Sequence, residues 1–402
     1  MAVRKEIVIV SGVRTPIGRY GGALKEVTSG HLASHVIKEA IGRARLKAEQ
    51  VDEIILGEVR QSTESSNVAR VAALRAGIPE TAPAFTVNRL CASGMQAIAS
   101  AVQQIQSGQA DIVVAGGTES MSCSPMYLRG ARFGGDRAKL IDSNIEAGQQ
   151  PKEIYGENLG MGITAENVAE KYRVAREDQD AFALESQRKA HEAIQEGRFK
   201  EEIAPYEIKS KKGSILVDTD EHPRPETTME KLAKLKPAFR DHGTVTAGNA
   251  CGRNDGAAAV LVMSSEQAEE LNQRPLAKII DWAAAGVSPE IMGIGPVPAV
   301  KKLLERTGKS INDIALFELN EAFASQSLAV IRELGLDPNK VNVNGGAIAL
   351  GHPVGSTGAR IVITLMHELI RREERYGIAT LCVGGGQGMA ILIENIAKDQ
   401  RV

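Results

Sequence analysis

The chain has 402 residues, 43% of them hydrophobic, with 48 Lys and Arg against 50 Asp and Glu and a net charge of -2. Such a chain is long and apolar enough for two or three domains with buried cores, while balanced charge without a long basic run speaks against nucleic acid or an anionic membrane as its main partner. The cysteines Cys91, Cys123, Cys251 and Cys382 lie far apart with no C-x-x-C pair, which argues against a metal site or a disulfide framework and for free thiols in a reducing compartment.

At the N-terminus, "MAVRKEIVIVSG" offers only "IVIV" as an apolar centre, too short for a signal peptide. No 18-residue apolar span follows, so a cytoplasmic protein is expected. Short β-rich runs ("EIVIV", "EIILGEV", "DIVVAGG", "AAAVLVM", "IALFEL", "ATLCVGGG", "MAILIE") alternate with helical segments, the pattern of an α/β protein whose sheets are covered on both faces. Three stretches of the chain echo three later ones in the same order. "VDEIILGE" matches "INDIALFE" at an offset of 260, "TVN" matches "NVN" at 256, and "DIVVAGGTESM" matches "ATLCVGGGQGM" at 268. Two copies of one α/β unit are expected, the second longer by about a dozen residues around "GGAIALGHPVGS". Residues 121–249 between them are rich in Gly, Pro and charge and contain a long polar helical stretch, so they read as an inserted lobe able to cover a cleft.

Chemistry concentrates at four places. In "NRLCASGMQAIAS" the small and apolar residues after Cys91 recur at helical spacing, and "APAFTVN" before it is β-rich. Cys91 therefore falls on a strand-to-helix turn, where free backbone N–H groups favour a thiolate, although this stretch taken alone favours a buried structural cysteine. "NGGAIALGHPVGSTGAR" sets His352 among five glycines, a frame that the other six histidines lack. "CVGGGQGMAILI" places Cys382 at a strand end before a glycine loop, and the strand after that loop disfavours a dinucleotide site, which needs a helix there. "ELNEAFASQS" ends a strand at Asn320 and Glu321. If the repeat brings these strand ends to one side, two thiols and an imidazole without metal-ligand spacing suggest covalent acyl chemistry, with Cys91 attacking, His352 taking its proton and Cys382 as second acid/base.

These segments, with "VRTPIGRYGG", "GGTESMS", "MGITAENVAEKY" and "GTVTAGNACGRNDGAAA", resemble the thiolase family, the acetyl-CoA acetyltransferases and 3-ketoacyl-CoA thiolases, over nearly the full chain. The resemblance implies an α/β thiolase fold: two duplicated α/β/α halves (1–120 plus 250–272, and 273–402) forming a five-layered core, with a loop domain (121–249) over coenzyme A. It implies reversible condensation of acyl-CoA with acetyl-CoA or thiolysis of 3-ketoacyl-CoA, with acetoacetyl-CoA as the expected substrate. Longer-chain β-oxidation substrates, or a non-catalytic acyl-CoA-binding relative, are the alternatives. By motif Cys91 becomes the acyl-cysteine, His352 activates it, and Cys382 handles the α-proton. One oxyanion hole forms at His352 and an Asn320-held water, a second at the N–H groups of Cys91 and Gly384. Met161, Phe239, Ala247 and Phe323 match the acyl-pantetheine tunnel, and Arg224 the contact to the nucleotide. No cofactor or metal is implied, because coenzyme A is substrate and product. The partners are acyl-CoA and coenzyme A, with a homodimer or homotetramer expected. Cys251 stands where the family commonly has a serine touching pantetheine, Gly160 where short-chain members often have histidine, and "QSTESSNVAR" replaces a more glycine-rich stretch expected near the subunit interface.

Overall fold

The computed structural model describes residues 5–134, 138–146, 148–210 and 213–397. The chain opens with β1 (Ile7–Arg14), β2 (Gly18–Arg19), α1 (Ser29–Arg43), β3 (Glu53–Gly57), α2 (Val68–Ala76), β4 (Ala84–Val87), α3 (Ser93–Gln106) and β5 (Ile112–Ser120). Next come a hairpin of β6 (Met126–Arg129) and β7 (Lys139–Asp142), then α4 (Ser143–Glu146), α5 (Lys152–Tyr155), α6 (Met161–Lys171) and α7 (Arg176–Gln195). A hairpin of β8 (Tyr206–Ser210) and β9 (Gly213–Val217) and the short α8 (Met229–Ala233) follow. The chain then returns to the core through β10 (Asn254–Ser264) and α9 (Ser265–Glu270). It ends with β11 (Ala277–Gly286), α10 (Pro296–Thr307), β12 (Leu316–Leu319), α11 (Ala324–Leu334), α12 (Ala347–Leu350), α13 (Val354–Arg372), β13 (Tyr376–Val383) and β14 (Gln387–Asn395).

Strand pairing repeats. The first set runs β4-β3-β5-β10-β1 and the second β12-β13-β14-β11, joined where Ile7–Ile9 of β1 meets Ala277–Ile279 of β11. β3 is parallel to β4 and β5, as β12 is parallel to β13 and to a bridge at Val341. β10 is antiparallel to β5 and β1, as β14 is to β13 and β11. The register corrects the spacing of the repeat. Ile54 pairs with Ala84 and Val114, and Phe317 pairs with Val341 and Ile378. The one-turn helices leading into β3 and β12 start at Ala48 and Ile311. The offsets are therefore 263 (48 to 311), 257 (84 to 341) and 264 (114 to 378), in place of 260, 256 and 268. Apolar strand residues resemble one another whatever their face, and the first echo slipped by three. That odd shift turns every side chain to the opposite side of the sheet. The second copy is seven residues longer between these strands (37 against 30). In the corrected register Gly57 corresponds to Asn320 and Glu58 to Glu321.

Alternate residues of each strand enter different cores, which is why the strands read as continuous apolar runs. Val8, Ile54, Leu56, Val114 and Ala259 pack outward on α1 and α2, while Ile9, Ile55, Val113, Val260, Leu381 and Ile391 pack inward on α3 and α13. Phe317, Ile378 and Leu392 pack outward on α10 and α11. The result is five layers, with α3 and α13 sandwiched between the sheets. Glycines let these two helices nearly touch: a Cβ at Gly94 would stand 2.8 Å from Ala359 N, and one at Gly358 would stand 2.5 Å from Met95 N. Their N-termini, just after Cys91 and His352, consequently share one end of the central layer.

A buried ionic cluster ties the segment after β9 to the core. Arg14 is 1% exposed; its Nε donates to Glu202 at 2.6 Å, and its two terminal nitrogens donate to Asp220 at 2.6 and 2.8 Å. Asp220 also accepts Ile17 N–H at 2.8 Å, and Glu221 accepts Arg19 N–H at 2.8 Å.

Candidate active site

Cys91 lies in the turn between β4 and α3. Leu90 N–H donates to Asn88 Oδ1 at 2.9 Å, and Ser93 Oγ accepts from Arg89 N–H and donates to Leu90 O. These bonds hold Leu90 at φ 47°, a left-handed conformation costing a non-glycine residue about 1–3 kcal/mol. Strain of this kind, immediately before the reactive side chain, fixes where the thiol points. No side chain caps α3, and Ser93 N–H donates to Leu90 O at 2.9 Å. The N–H groups of Cys91 and Gly384 lie close enough to the thiol to favour its ionised form. The expectation of a stabilised thiolate is nonetheless reversed. Burial is the largest influence and pushes the Cys91 thiol up, while the two N–H groups and Arg60 restore only part of the shift. Cys91 rests as a thiol and needs a base.

His352 has the form of that base. Its Nδ1 lies 2.8 Å from Thr357 Oγ1, and the Thr357 hydroxyl donates its one hydrogen to Pro353 O at 2.9 Å. The hydroxyl oxygen can therefore only accept from the ring, which puts the imidazole proton on Nδ1 and leaves Nε2 as a lone pair. Nε2 is buried and without a partner. Burial, assisted by the Arg360 charge, lowers the pKa to about 3 and keeps the ring neutral. A neutral imidazole with an unengaged nitrogen is a proton acceptor.

Asn320 and Cys382 end neighbouring parallel strands. Leu319 pairs with Thr380, and Asn320 N–H donates to Thr380 O at 3.0 Å. Both amide atoms of Asn320 are buried with no partner, a costly state unless a ligand or water completes them. Cys382 is 1% exposed among Ala165, Val245, Met292, Ala322 and Phe323, with Met161 and Ala250 at the edge. After it, Gly385 and Gly386 turn the chain with φ 76° and 88°, and Gly384 N–H points at Cys91. Burial, then repulsion from Cys91 and Cys251, raises Cys382 well above the usual thiol range, and burial with Cys91 repulsion raises Cys251 to about 12. A charge on any one of the three thiols disfavours ionisation of the others, so they are not ionised together.

A cavity of about 470 Å³ borders this cluster at Cys251 and is lined by Arg224, Phe239, Ala247, Leu232, Leu235 and Lys231 among others. Four of the six expected binding positions thus line it. The other two, Met161 and Phe323, belong to the apolar cluster around Cys382. The two regions are continuous, because the Phe239 and Phe323 rings meet edge-on at 6.3 Å and Ala250 pairs with Phe323. Apolar walls with Arg224 and Lys231 farther along suit a long, thin ligand with an anionic end.

Four residues overlooked in the sequence hold the site together. Glu119 accepts N–H bonds at 3.0 Å from Val59, Arg60 and Gly355, tying the end of β3 to the turn after His352. Asn254 Oδ1 accepts His352 N–H at 2.9 Å. Thr357 sets the His352 tautomer, and His222 lines the cavity. Glu119 stands in the quoted "GGTESMS" and Asn254 in "GRNDG", but neither motif gives the residue's partner.

The chain is similar to known proteins over almost its whole length. The pattern described as thiolase, N-terminal domain, matches residues 7–266, and that of thiolase, C-terminal domain, matches residues 273–395. An acetyl-CoA acetyltransferase of Syntrophomonas wolfei is 52% identical over 396 residues, 97% of this chain and 99% of that protein. The crystal structure of the Bacillus anthracis acetyl-CoA acetyltransferase superposes with a TM-score of 0.96 at 49% identity, covering 98% of this chain and 100% of that one. Human mitochondrial 3-ketoacyl-CoA thiolase in complex with CoA gives a TM-score of 0.93 at 45% identity, covering 99% and 100%.

Proposed function

The chain belongs to the thiolase family and is an acyltransferase, and we propose that it cleaves acetoacetyl-CoA with coenzyme A, and runs the reverse condensation, through acetyl-Cys91. The carrying observation is His352, neutral and with a bare, buried Nε2 at the helix end it shares with Cys91. In thiolysis Cys91 Sγ attacks the 3-keto carbon while His352 Nε2 takes its proton. The oxyanion meets the N–H groups of Cys91 and Gly384. The C2–C3 bond then breaks, and its electron pair forms an enolate whose oxygen meets the Nε2–H of His352 and a water held by Asn320. The Cys382 thiol protonates C2 and releases acetyl-CoA. The Cys382 thiolate takes the proton of an incoming coenzyme A thiol, whose sulfur attacks acetyl-Cys91; the acyl–Sγ bond breaks, Cys91 recovers its proton from His352 Nε2, and the second acetyl-CoA departs. Preorganised donors at each developing charge are worth roughly 3 kcal/mol apiece. Burial serves Cys382 here, because a thiol with a raised pKa holds its proton until the enolate forms.

Met161, Phe239, Ala247 and Phe323 guide the acyl-pantetheine arm, Cys251 sits beside it, and Arg224 meets phosphate. Residues 121–249 form the covering lobe over the two halves at 1–120 plus 250–272 and 273–402. A longer-chain 3-ketoacyl-CoA is the second reading, favoured by Gly160, where an added Cβ would have no atom within 4 Å. A homodimer or homotetramer fits the apolar side chains exposed on β6 and β7, Met126, Leu128 and Leu140. No helix among the described residues is long and apolar enough to cross a membrane, and we assign the protein to the cytoplasm.

The deciding experiment is coenzyme A-dependent loss of acetoacetyl-CoA enolate absorbance, with wild type beside Cys91→Ala and Cys382→Ser. Both variants lose turnover, and acetyl-enzyme accumulates on Cys91 in the Cys382→Ser protein. A wild-type protein that neither turns over nor acylates Cys91 with acetoacetyl-CoA, but does so with longer 3-ketoacyl-CoA, moves the assignment to the second reading.

A further inference from the structure

His222 has no glycine frame in the sequence, yet its ring lines the long cavity. It follows Asp220 and Glu221, the two carboxylates that clamp this segment to the turn after β1, so its backbone position is fixed by the buried Arg14 cluster. The ring lies over Gly252, where an added Cβ would stand 2.3 Å from His222 Cε1. Only glycine at 252, beside Cys251, leaves room for it. His222 Nδ1 is 3.3 Å from Asn254 Nδ2. The orientation of that amide is settled by two other bonds: Oδ1 accepts His352 N–H at 2.9 Å, and Nδ2 donates to Gly18 O at 2.9 Å. The nitrogen of Asn254 therefore faces the ring, Nδ1 accepts, and the imidazole proton resides on Nε2. Burial, with Arg224 and Arg19 nearby, lowers the ring to about 4 and keeps it in this neutral form at working pH. Among the described residues Nε2–H has no acceptor.

We propose that His222 is a coenzyme A-binding residue that donates Nε2–H to a carbonyl oxygen of the pantetheine arm, supplying the polar contact that the weakly donating Cys251 thiol makes poorly. Asn254 joins this contact to the backbone of His352, so the arm and the base are positioned by one side-chain chain. The inference rests on the cavity taking coenzyme A, as in the reading above, and depends on no step of the chemistry.

The test is calorimetric binding of coenzyme A and of pantetheine to the full-length protein, wild type against His222→Asn, His222→Gln and Arg224→Ala. Asparagine keeps an acceptor near the Nδ1 position for Asn254 and deletes the donor into the cavity. Glutamine places an amide N–H near Nε2. One lost hydrogen bond corresponds to a weakening of about 2- to 12-fold. That loss is expected for His222→Asn with both ligands alike, with substantial recovery in His222→Gln and an unchanged melting temperature, whereas Arg224→Ala weakens coenzyme A alone. Unchanged binding in a folded His222→Asn protein overturns the proposal, and so does a loss confined to coenzyme A, which would put His222 on the phosphates. A wild-type protein that binds coenzyme A with this His222 dependence but never cleaves acetoacetyl-CoA refutes the activity and leaves the contact standing. Normal thiolysis with binding indifferent to His222 does the reverse, and failure of the wild type to bind coenzyme A refutes both.

Discussion

Thr357→Val isolates the tautomer of His352. Valine matches threonine in shape, and residue 357 is 0% exposed, so packing is nearly preserved while the oxygen that accepts Nδ1–H at 2.8 Å is removed. Pro353 O keeps its other donors, the N–H groups of Ser356 and Thr357 and the Ser356 hydroxyl. The loss is thus confined to the ring. A buried donor left unmade costs about 1–3 kcal/mol. The ring escapes the cost only by moving its proton to Nε2, which destroys the lone pair needed by Cys91. Either route disfavours the active base by the same amount, so acylation of Cys91 slows about 5- to 150-fold. The assay is rapid-quench mass spectrometry of acetyl-Cys91 formed from acetoacetyl-CoA, with coenzyme A affinity measured separately and expected to stay at the wild-type value. Thr357→Ser restores the oxygen and most of the rate. Wild-type acylation by the valine protein, or a serine protein as slow as valine, would refute the assignment of the proton to Nδ1.

Asp220→Ala leaves the buried Arg14 guanidinium with Glu202 as its one remaining carboxylate partner. Breaking such a pair costs about 3–5 kcal/mol, to be read as a lower urea midpoint at unchanged slope; a change under about 1 kcal/mol would show that the cluster relaxes freely. Acid stability follows from the histidines. His352 and His222 have folded pKa values of about 3 and about 4, below the unfolded 6.5. The unfolded chain therefore binds more protons. The contribution of these two rings is full above about pH 6.5 and falls as pH drops, by about 1.4 kcal/mol per pH unit for each ring until its folded value is reached. His352→Asn removes one such proton from the slope between pH 6 and 4, and an unaltered slope would mean that the folded ring is already charged there.

The fold and the gathering of the candidate residues at one end of the central layer were legible in the sequence for one reason and the register was not for another. Strand-forming runs with covered faces announce themselves by composition, and their order exposed the duplication even though "VDEIILGE" was set three residues out of step. Composition carries no information about which face a valine or isoleucine occupies; only the pairings of Ile54 and Phe317 supply it. The same distinction separates Cys91 from its reactivity. A turn before a helix correctly placed the thiol, but its acidity depends on burial contributed by both halves, and that contribution exceeds the local N–H groups.

His222 shows the complementary failure. Nothing next to it in the chain marks it, because the features that give it a role come from elsewhere: Arg14 clamps its segment, Gly252 makes its space and Asn254 sets its proton. Each is an ordinary residue in its own stretch. A glycine-framed histidine such as His352 advertises itself because its surroundings are local, whereas a histidine whose surroundings are assembled from distant segments is silent until the chain is folded. The two imidazoles are nonetheless parts of one device. Asn254 accepts from the His352 backbone and donates to the His222 ring. With protons on opposite nitrogens, Nδ1 in His352 and Nε2 in His222, one ring in the proposed reaction presents a lone pair to the Cys91 thiol and the other a donor to the cavity. Exchanging either tautomer would leave a base without its lone pair or a cavity without its donor, and this is why both rings are held neutral by burial and oriented by a hydrogen bond at the nitrogen that does not react.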